Sequence, residues 1–177
     1  MIVLMAGLPG TGKTTLAREL ARRVGGRVLS KDEFRHAIFQ PGEIEYSSQQ
    51  DDFCLQLMLE TARYLLSGNP NRVIFLDGRP FSRRYQIENV LAFANSLHQP
   101  WRILECVYSE DLAKSRLSND LEQKQHPAGN RDFQLYLAVK ARFEAITRDK
   151  VIIDTQQPIE VCIQQALGVL GVELPRR

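Results

Sequence analysis

Short apolar runs alternate along this chain with longer stretches of helical periodicity. Ile2–Ala6 is a continuous apolar run and predicts a strand buried on both faces, and Val73–Leu76 predicts another buried strand. Arg27–Leu29 predicts a weaker strand, and Trp101–Tyr108 and Val151–Ile153 predict two more. The intervening stretches predict helices, namely Thr14–Val24, Lys31–Phe39, Ser48–Gly68, Ser82–Leu97, Glu110–Leu117, Arg131–Ile146 and Pro158–Leu170. Ser48 and Asp51 have the spacing of a capping box at the start of the long helix. Strands separated by helices favour an α/β fold with a parallel sheet covered by helices on both faces.

Length and composition indicate one globular domain over residues 1–177. The chain has 177 residues, of which 44% are hydrophobic and 25% charged, and both fractions are ordinary for a folded protein. No apolar run approaches the ~18 residues of a membrane span. The formal net charge of +2 argues against a protein that coats nucleic acid, but it leaves a local basic site open.

The cysteines indicate a reducing compartment. Cys54, Cys106 and Cys162 are far apart and form no CxxC pair, which excludes a disulfide framework and a zinc-finger spacing. The apolar N-terminus carries no basic segment and runs directly into glycines, so it does not have the pattern of a signal peptide. We therefore expect a cytoplasmic protein.

A glycine-rich segment after the first strand carries the most specific motif. The segment 7–14 fits the phosphate-loop pattern GxxxxGK[ST], in which backbone N–H groups and a helix N-terminus surround phosphate. Lys13 would reach the β- and γ-phosphates, and the Thr14 hydroxyl would ligate Mg²⁺. The predicted nucleotide-binding residues are Gly7, Leu8, Pro9, Gly10, Thr11, Gly12, Lys13, Thr14 and Thr15. The motif fits ATP or GTP, but the absence of an NKxD-like segment disfavours a GTPase, and the chain is too short for a typical ring ATPase. A small P-loop kinase remains.

Acidic residues follow the second and third strands, where ligands bind in open parallel sheets. Asp32 and Arg35 share one helical face, so that a carboxylate able to accept a hydroxyl proton lies beside an arginine able to hold an anionic acceptor. Asp77 ends the third strand and is a candidate Mg²⁺ ligand. Arg79, Arg83 and Arg84 crowd the start of the following helix. They are candidates for contact with an acceptor phosphate, and the equal alternative is that they are solvated surface residues.

A polar segment near residues 119–130 predicts a loop within a helical lid at about 114–135. Arginines commonly stabilise the charge of a transferring phosphoryl group. Arg116 and Arg131 flank the loop and are the candidates for this role.

Four segments together resemble the small P-loop kinases of the AAA-domain kinase group, which includes polynucleotide 5′-kinases, chloramphenicol phosphotransferase and zeta-toxin-like enzymes. The segments are Gly7–Thr15, Ser30–Arg35, Leu76–Arg79 and Arg116–Arg142. The resemblance implies a three-layer P-loop NTPase fold, a five-stranded parallel sheet of order 2-3-1-4-5, a helical lid, and ATP with Mg²⁺ as donor. It also implies that Asp32 is the general base, that Arg35 contacts the acceptor, and that a lid arginine contacts the donor phosphates.

One position departs from the pattern of this group. Relatives often carry a second lid arginine four residues after the first, and this chain has Asp120 there. The departure weakens the assignment of Arg116 and favours Arg131 as the lid arginine that contacts the donor phosphates.

The resulting hypothesis is an ATP- and Mg²⁺-dependent kinase that phosphorylates a hydroxyl of a small molecule or of a nucleic-acid 5′ end. One alternative is a nucleoside monophosphate kinase, because Gly7–Thr15 and Leu76–Phe81 also resemble adenylate-kinase segments. Another is a non-catalytic module in which ATP orders the lid for a protein partner. The sequence leaves the acceptor and the oligomeric state open.

Overall fold

The five apolar runs form the strands of a parallel sheet. The computed structural model describes residues 1–123 and 132–171, and in them the strands are β1 (Ile2–Ala6), β2 (Arg27–Ser30), β3 (Ile74–Asp77), β4 (Trp101–Val107) and β5 (Val151–Asp154). Hydrogen-bonded neighbours follow the order β2-β3-β1-β4-β5. The predicted α/β fold and its strand order are therefore confirmed.

Helices connect the strands and cover both faces of the sheet. In the described residues they are α1 (Lys13–Val24), α2 (Lys31–Ile38), α3 (Ser48–Gly68), α4 (Arg84–Ser96), α5 (Glu110–Gln123), α6 (Phe133–Ala141) and α7 (Ile159–Leu170). Among these residues, no helix combines the length and the apolar character that crossing a membrane requires.

Alternation along β1 divides the core into two layers. Because successive side chains of a strand point to opposite faces, Ile2 and Leu4 pack with α3 and α4, whereas Val3 and Met5 pack with α1 and α7. Every residue of β1 is fully buried. This double burial explains why the strand appears in the sequence as a continuous apolar run.

Several predicted helix ends are wrong, although each predicted helix exists. The helix predicted over Glu110–Leu117 continues to Gln123, so it enters the segment that was predicted to be a loop. The helix predicted over Arg131–Ile146 spans only Phe133–Ala141. Asp132 is the N-cap of that helix, and its carboxylate accepts a hydrogen bond from the Leu135 N–H at 2.7 Å.

The predicted capping box of α3 is also wrong. Ser47, one residue earlier, is the N-cap, and its hydroxyl accepts a hydrogen bond from the Gln50 N–H at 3.1 Å. Asp51 is thereby free of a capping role. Its carboxylate contacts α2 instead, as described below.

The helices α5 and α6 form a small third core beside the phosphate loop. Ala113 and Leu117 of α5 pack against Tyr136 of α6, and Leu8 of the loop joins this cluster. This packing is the described part of the predicted lid. Residues 124–131 of that prediction, including Arg131, lie outside the described residues.

Candidate active site

The loop between β1 and α1 has a backbone that only glycine adopts easily. Gly7, Gly10 and Gly12 have φ angles of 126°, 80° and 75°, in the region that L side chains rarely occupy. A Cβ atom on Gly7 would lie 2.2 Å from the carbonyl oxygen of Cys106. The loop therefore depends on these glycines for its conformation, as the phosphate-loop motif predicts.

Lys13 is buried inside the curve of this loop. Its Nζ donates hydrogen bonds to the carbonyl oxygens of Gly7 at 2.9 Å and Leu8 at 2.7 Å. These contacts hold the ammonium group where a phosphate inside the loop would meet it. Thr14 is half-buried on the first turn of α1, whereas Thr15 is exposed.

Asp77 ends β3 with a carboxylate that the protein leaves unsatisfied. The residue is 1% exposed, and neither carboxylate oxygen has a hydrogen-bond partner of ordinary geometry in the described part of the chain. Burial raises the pKa of this carboxyl, and the Thr14 hydroxyl and the Lys13 ammonium oppose that rise only in part. A buried carboxylate without hydrogen-bond donors is rare, and it marks a place that a cation would complete.

The donor set at this place fits Mg²⁺. This ion commonly takes one or two protein ligands and completes its shell with water and substrate phosphates. Asp77 and Thr14 supply such a partial set next to the phosphate loop. Within residues 1–123 and 132–171, no group of three or more His, Cys, Asp or Glu side chains forms a self-sufficient metal site.

A buried ionic cluster joins the start of α2 to the start of α3. Arg35 is fully buried, and its Nη1 donates to Asp32 at 3.0 Å, its Nε donates to Gln50 at 3.1 Å, and its Nη2 donates to Asp51. Lys31 donates to the same Asp51 oxygen at 2.8 Å. Since Arg35 is directed at protein partners, the geometry favours a role in positioning Asp32 over the predicted contact with the acceptor.

The sequence did not identify the α3 half of this cluster. The sequence pattern places Asp51 in a cap, and Gln50 carries no motif. Tyr46 is a further residue that carries no sequence signal. The guanidinium carbon of Arg35 lies 5.0 Å from the centre of its ring, in a cation–π contact. Only the packing of α2 on α3 brings these residues together.

Arg116 extends from α5 to the phosphate loop. Its guanidinium carbon lies 4.0 Å from the centre of the Tyr108 ring. Its Nη1 lies 3.4 Å from the point that a Cβ on Gly12 would occupy. The structure therefore places one of the two predicted lid arginines beside the loop.

Thr155 is a second residue that sequence reasoning missed. Its hydroxyl lies 2.9 Å from the carbonyl oxygen of Thr11 and 3.0 Å from that of Val107. It therefore ties the loop to the end of β4 from the turn that follows β5. Its position directly after the last strand was the only available signal.

One cavity of about 220 Å³ joins the loop to the acidic cluster. Lys13 and Thr14 line it together with Asp32 and Arg35. Gly78 and Arg79, which follow β3, complete the wall next to them, and α6 contributes Leu135 and Val139 on another side. The cavity thus brings a phosphate-binding group within one enclosure with a candidate proton acceptor.

Residues 2–146 match the family model described as "AAA domain". Shikimate kinase 2 of Yersinia enterocolitica is 25% identical over 182 residues, which cover 97% of this chain and 96% of that protein.

Solved structures share the fold at lower identity. The APS kinase of Mycobacterium tuberculosis, in complex with AMPPNP and APS, has a TM-score of 0.71 and 16% identity, and the match covers 96% of each chain. A gluconokinase from Sinorhizobium meliloti has a TM-score of 0.63 and 15% identity over 94% of this chain and 89% of that one.

Proposed function

Because the chain belongs to the AAA-domain family that its residues 2–146 match and is a P-loop phosphotransferase, we propose a specific reaction for it. In this reaction the protein transfers the γ-phosphate of ATP, with Mg²⁺, to a hydroxyl of a small molecule. The observation that carries the proposal is the shared cavity, which is lined by both Lys13 of the phosphate loop and Asp32 of α2. A P-loop alone supports nucleotide binding, and the second group supports transfer to an acceptor.

The size of the cavity favours a small acceptor. Its volume of about 220 Å³ lies below the roughly 300–1,000 Å³ of typical sites for drug-sized ligands. The named relatives act on, or were solved with, small molecules as well.

Each residue has a defined task in the proposed reaction. Lys13 and the loop N–H groups hold the donor phosphates, and Arg116 faces them from α5. Thr14 and Asp77 would hold Mg²⁺, which neutralises charge on the phosphates when it is bound. Asp32 accepts the proton of the acceptor hydroxyl. At the same time the hydroxyl oxygen bonds to the γ-phosphorus, and the bond from that phosphorus to the leaving ADP oxygen breaks.

Arg35 keeps the proposed base in place. Its hydrogen bond fixes one Asp32 oxygen, so that the other oxygen remains available to the acceptor. Gln50 and Asp51 in turn fix the guanidinium. This chain of contacts restricts the carboxylate to one orientation, which is what general-base catalysis requires.

The test is ADP release from Mg-ATP across a panel of sugars, hydroxy acids, nucleosides, nucleoside monophosphates and 5′-hydroxyl oligonucleotides. We expect one small-molecule class to stimulate release, and we expect Lys13→Ala and Asp32→Asn to abolish the stimulation. Loss of a general base costs roughly 10²–10⁴ in rate. Matched controls are Arg18→Ala on α1 and Glu33→Gln beside Asp32, since both residues are exposed and pair with each other.

Three outcomes would contradict the proposal. Stimulation by monophosphates alone would indicate a nucleoside monophosphate kinase. ATP binding without stimulation by any acceptor would indicate a nucleotide-gated binding module. Full turnover by Asp32→Asn with a confirmed acceptor would remove Asp32 as the base.

A further inference from the structure

Arg79 lines the cavity, but the proposed reaction gives it no task. It follows Gly78 immediately beyond β3 and is 2% exposed. Burial of a guanidinium is unfavourable unless anions and hydrogen-bond acceptors surround it. Its partners therefore indicate whether Arg79 is a structural residue or part of a binding site.

Only part of this guanidinium is satisfied. Its Nη2 lies 2.6 Å from Asp52 Oδ1 and 3.4 Å from the Tyr85 hydroxyl oxygen. Its Nε and Nη1 are buried and have no hydrogen-bond partner in the described part of the chain. The Asp52 side chain is 47% exposed, so water weakens the one ion pair recorded for Arg79 among these residues. Arg79 thus retains hydrogen-bonding capacity that the described protein groups do not use.

The walls of the cavity carry an excess of positive charge. Two acidic side chains line it, Asp32 and Asp51, against six cationic ones, namely Lys13, Lys31, Arg35, Arg79, Arg83 and Arg142. The two acidic groups are already paired with Lys31 and Arg35. A cleft lined by one sign of charge concentrates ligands of the opposite sign.

We propose that Arg79 binds an anionic group of the acceptor, so that the acceptor is a small hydroxy-carboxylate or phosphate ester and not a neutral alcohol. This inference rests on the proposed kinase function and specifies its substrate class. Carboxylate and phosphate oxygens are the partners that guanidinium groups bind most strongly. The anionic group sits at Arg79 while the hydroxyl of the same molecule faces Asp32.

A modest movement makes the contact. Both unpartnered nitrogens are covered in this structure, so a bound anion draws the guanidinium towards the cavity by side-chain rotation. The half-exposed Asp52 is held by no helix cap or buried network in the described residues, so it can follow or release Arg79. A buried guanidinium with one weak internal partner exchanges that partner for another anion at small cost.

Anion binding is tested first without catalysis. The full-length protein is saturated with Mg-AMPPNP, which fills the phosphate loop, and is then titrated with inorganic phosphate and, separately, with D-glycerate by calorimetry. We expect at least one anion to bind the parent protein and the Arg84→Gln control, and to bind Arg79→Gln at least tenfold more weakly. Arg84 is a suitable control because it is exposed at the start of α4 and does not line the cavity. Unchanged AMPPNP affinity shows that each variant is folded, and Arg79→Lys provides a second variant that retains the charge.

Equal binding to the parent protein and Arg79→Gln, or no binding of either anion, would overturn the proposal. Turnover then separates the anion site from the kinase function. We expect Arg79→Gln to raise KM for an anionic acceptor by about 10- to 100-fold, the contribution of one hydrogen bond to a charged group, with kcat changed far less and partial recovery in Arg79→Lys. If the acceptor is a carboxylate, its methyl ester is neutral. Efficient phosphorylation of that ester would refute the anion site and leave the kinase function standing. Arg79-dependent anion binding with no phosphorylated acceptor would refute the kinase function and leave the site standing.

Discussion

Replacing Asp77 with asparagine should stabilise the protein while abolishing its activity. The carboxylate is buried at the end of β3, and its two oxygens have no hydrogen-bond partner of ordinary geometry in the described residues. A buried acceptor left unsatisfied costs about 1–3 kcal/mol, and more when it is charged. Asparagine keeps the shape of the side chain but carries no charge, so it removes the desolvation cost that raises the pKa of the Asp77 carboxyl. We therefore expect Asp77→Asn to raise the free energy of unfolding by about 1–3 kcal/mol at neutral pH without Mg²⁺. For a chain of this size, each kcal/mol raises Tm by about 2–4 °C.

The gain should depend on pH with a definite sign. Burial raises the pKa of Asp77 above its ordinary value of 3.8. A carboxyl with a raised pKa in the folded state favours folding when it is protonated and opposes folding once it ionises. The stability of the parent protein should therefore fall relative to that of the variant as the pH rises above 3.8, and the difference should level off above the raised pKa.

Thermal unfolding of both proteins across this pH range, with and without Mg-ATP, is the assay. Mg-ATP should stabilise the parent protein more than the variant, because binding to the folded state adds to stability by mass action. Asp154→Asn is the matched control. Asp154 ends β5, but hydrogen bonding by the Gln156 N–H lowers its pKa, so its replacement should not stabilise the protein. A less stable Asp77→Asn protein at neutral pH would refute the reasoning.

Two further changes test the loop and the ionic cluster. In urea unfolding, Gly7→Ala should destabilise the protein by more than Gly25→Ala, because a Cβ on Gly7 would clash with the Cys106 carbonyl oxygen. A Cβ on Gly25 would meet no atom within 4 Å, so that change costs only the strain of a φ of 64°. The Gly25 change should cost about 1–2 kcal/mol, the penalty of the left-handed conformation, and equal effects would contradict the clash. Arg35→Met should lower the free energy of unfolding by about 3–5 kcal/mol, since it removes the fully buried cation that Asp32 and Asp51 share and leaves Lys31 to face both carboxylates. A loss below 1 kcal/mol would argue against the cluster.

The sequence predicted the sheet and the phosphate loop because both depend on local patterns. Continuous apolar runs mark strands buried on two faces, and the fixed glycine spacing of the loop allows few other structures. The resemblance to the AAA-domain kinase group, which implied the strand order, is confirmed by the family match over residues 2–146. The order 2-3-1-4-5 is confirmed in the sheet itself.

The surroundings of the site could not be predicted in the same way. Ser47 and Ser48 are equivalent as caps in the sequence. The prediction pairs Ser48 with Asp51 in a capping box, whereas in the structure Ser47 is the cap and neither Ser48 nor Asp51 has a capping role. The burial of Arg79 has no local signal, since an arginine after a strand is usually solvated. Both properties arise from how α3 and α4 pack against the sheet, which is a tertiary effect.

The central claim, transfer to an acceptor hydroxyl, is tested most directly by ³¹P NMR of a turnover mixture. The mixture contains the protein, Mg-ATP and the acceptor that most stimulates ADP release, and Lys13→Ala serves as the inactive control. We predict a new phosphomonoester signal that grows in equal amount with ADP and is absent from the control. Formation of ADP with inorganic phosphate alone would show that water is the acceptor and would contradict the account.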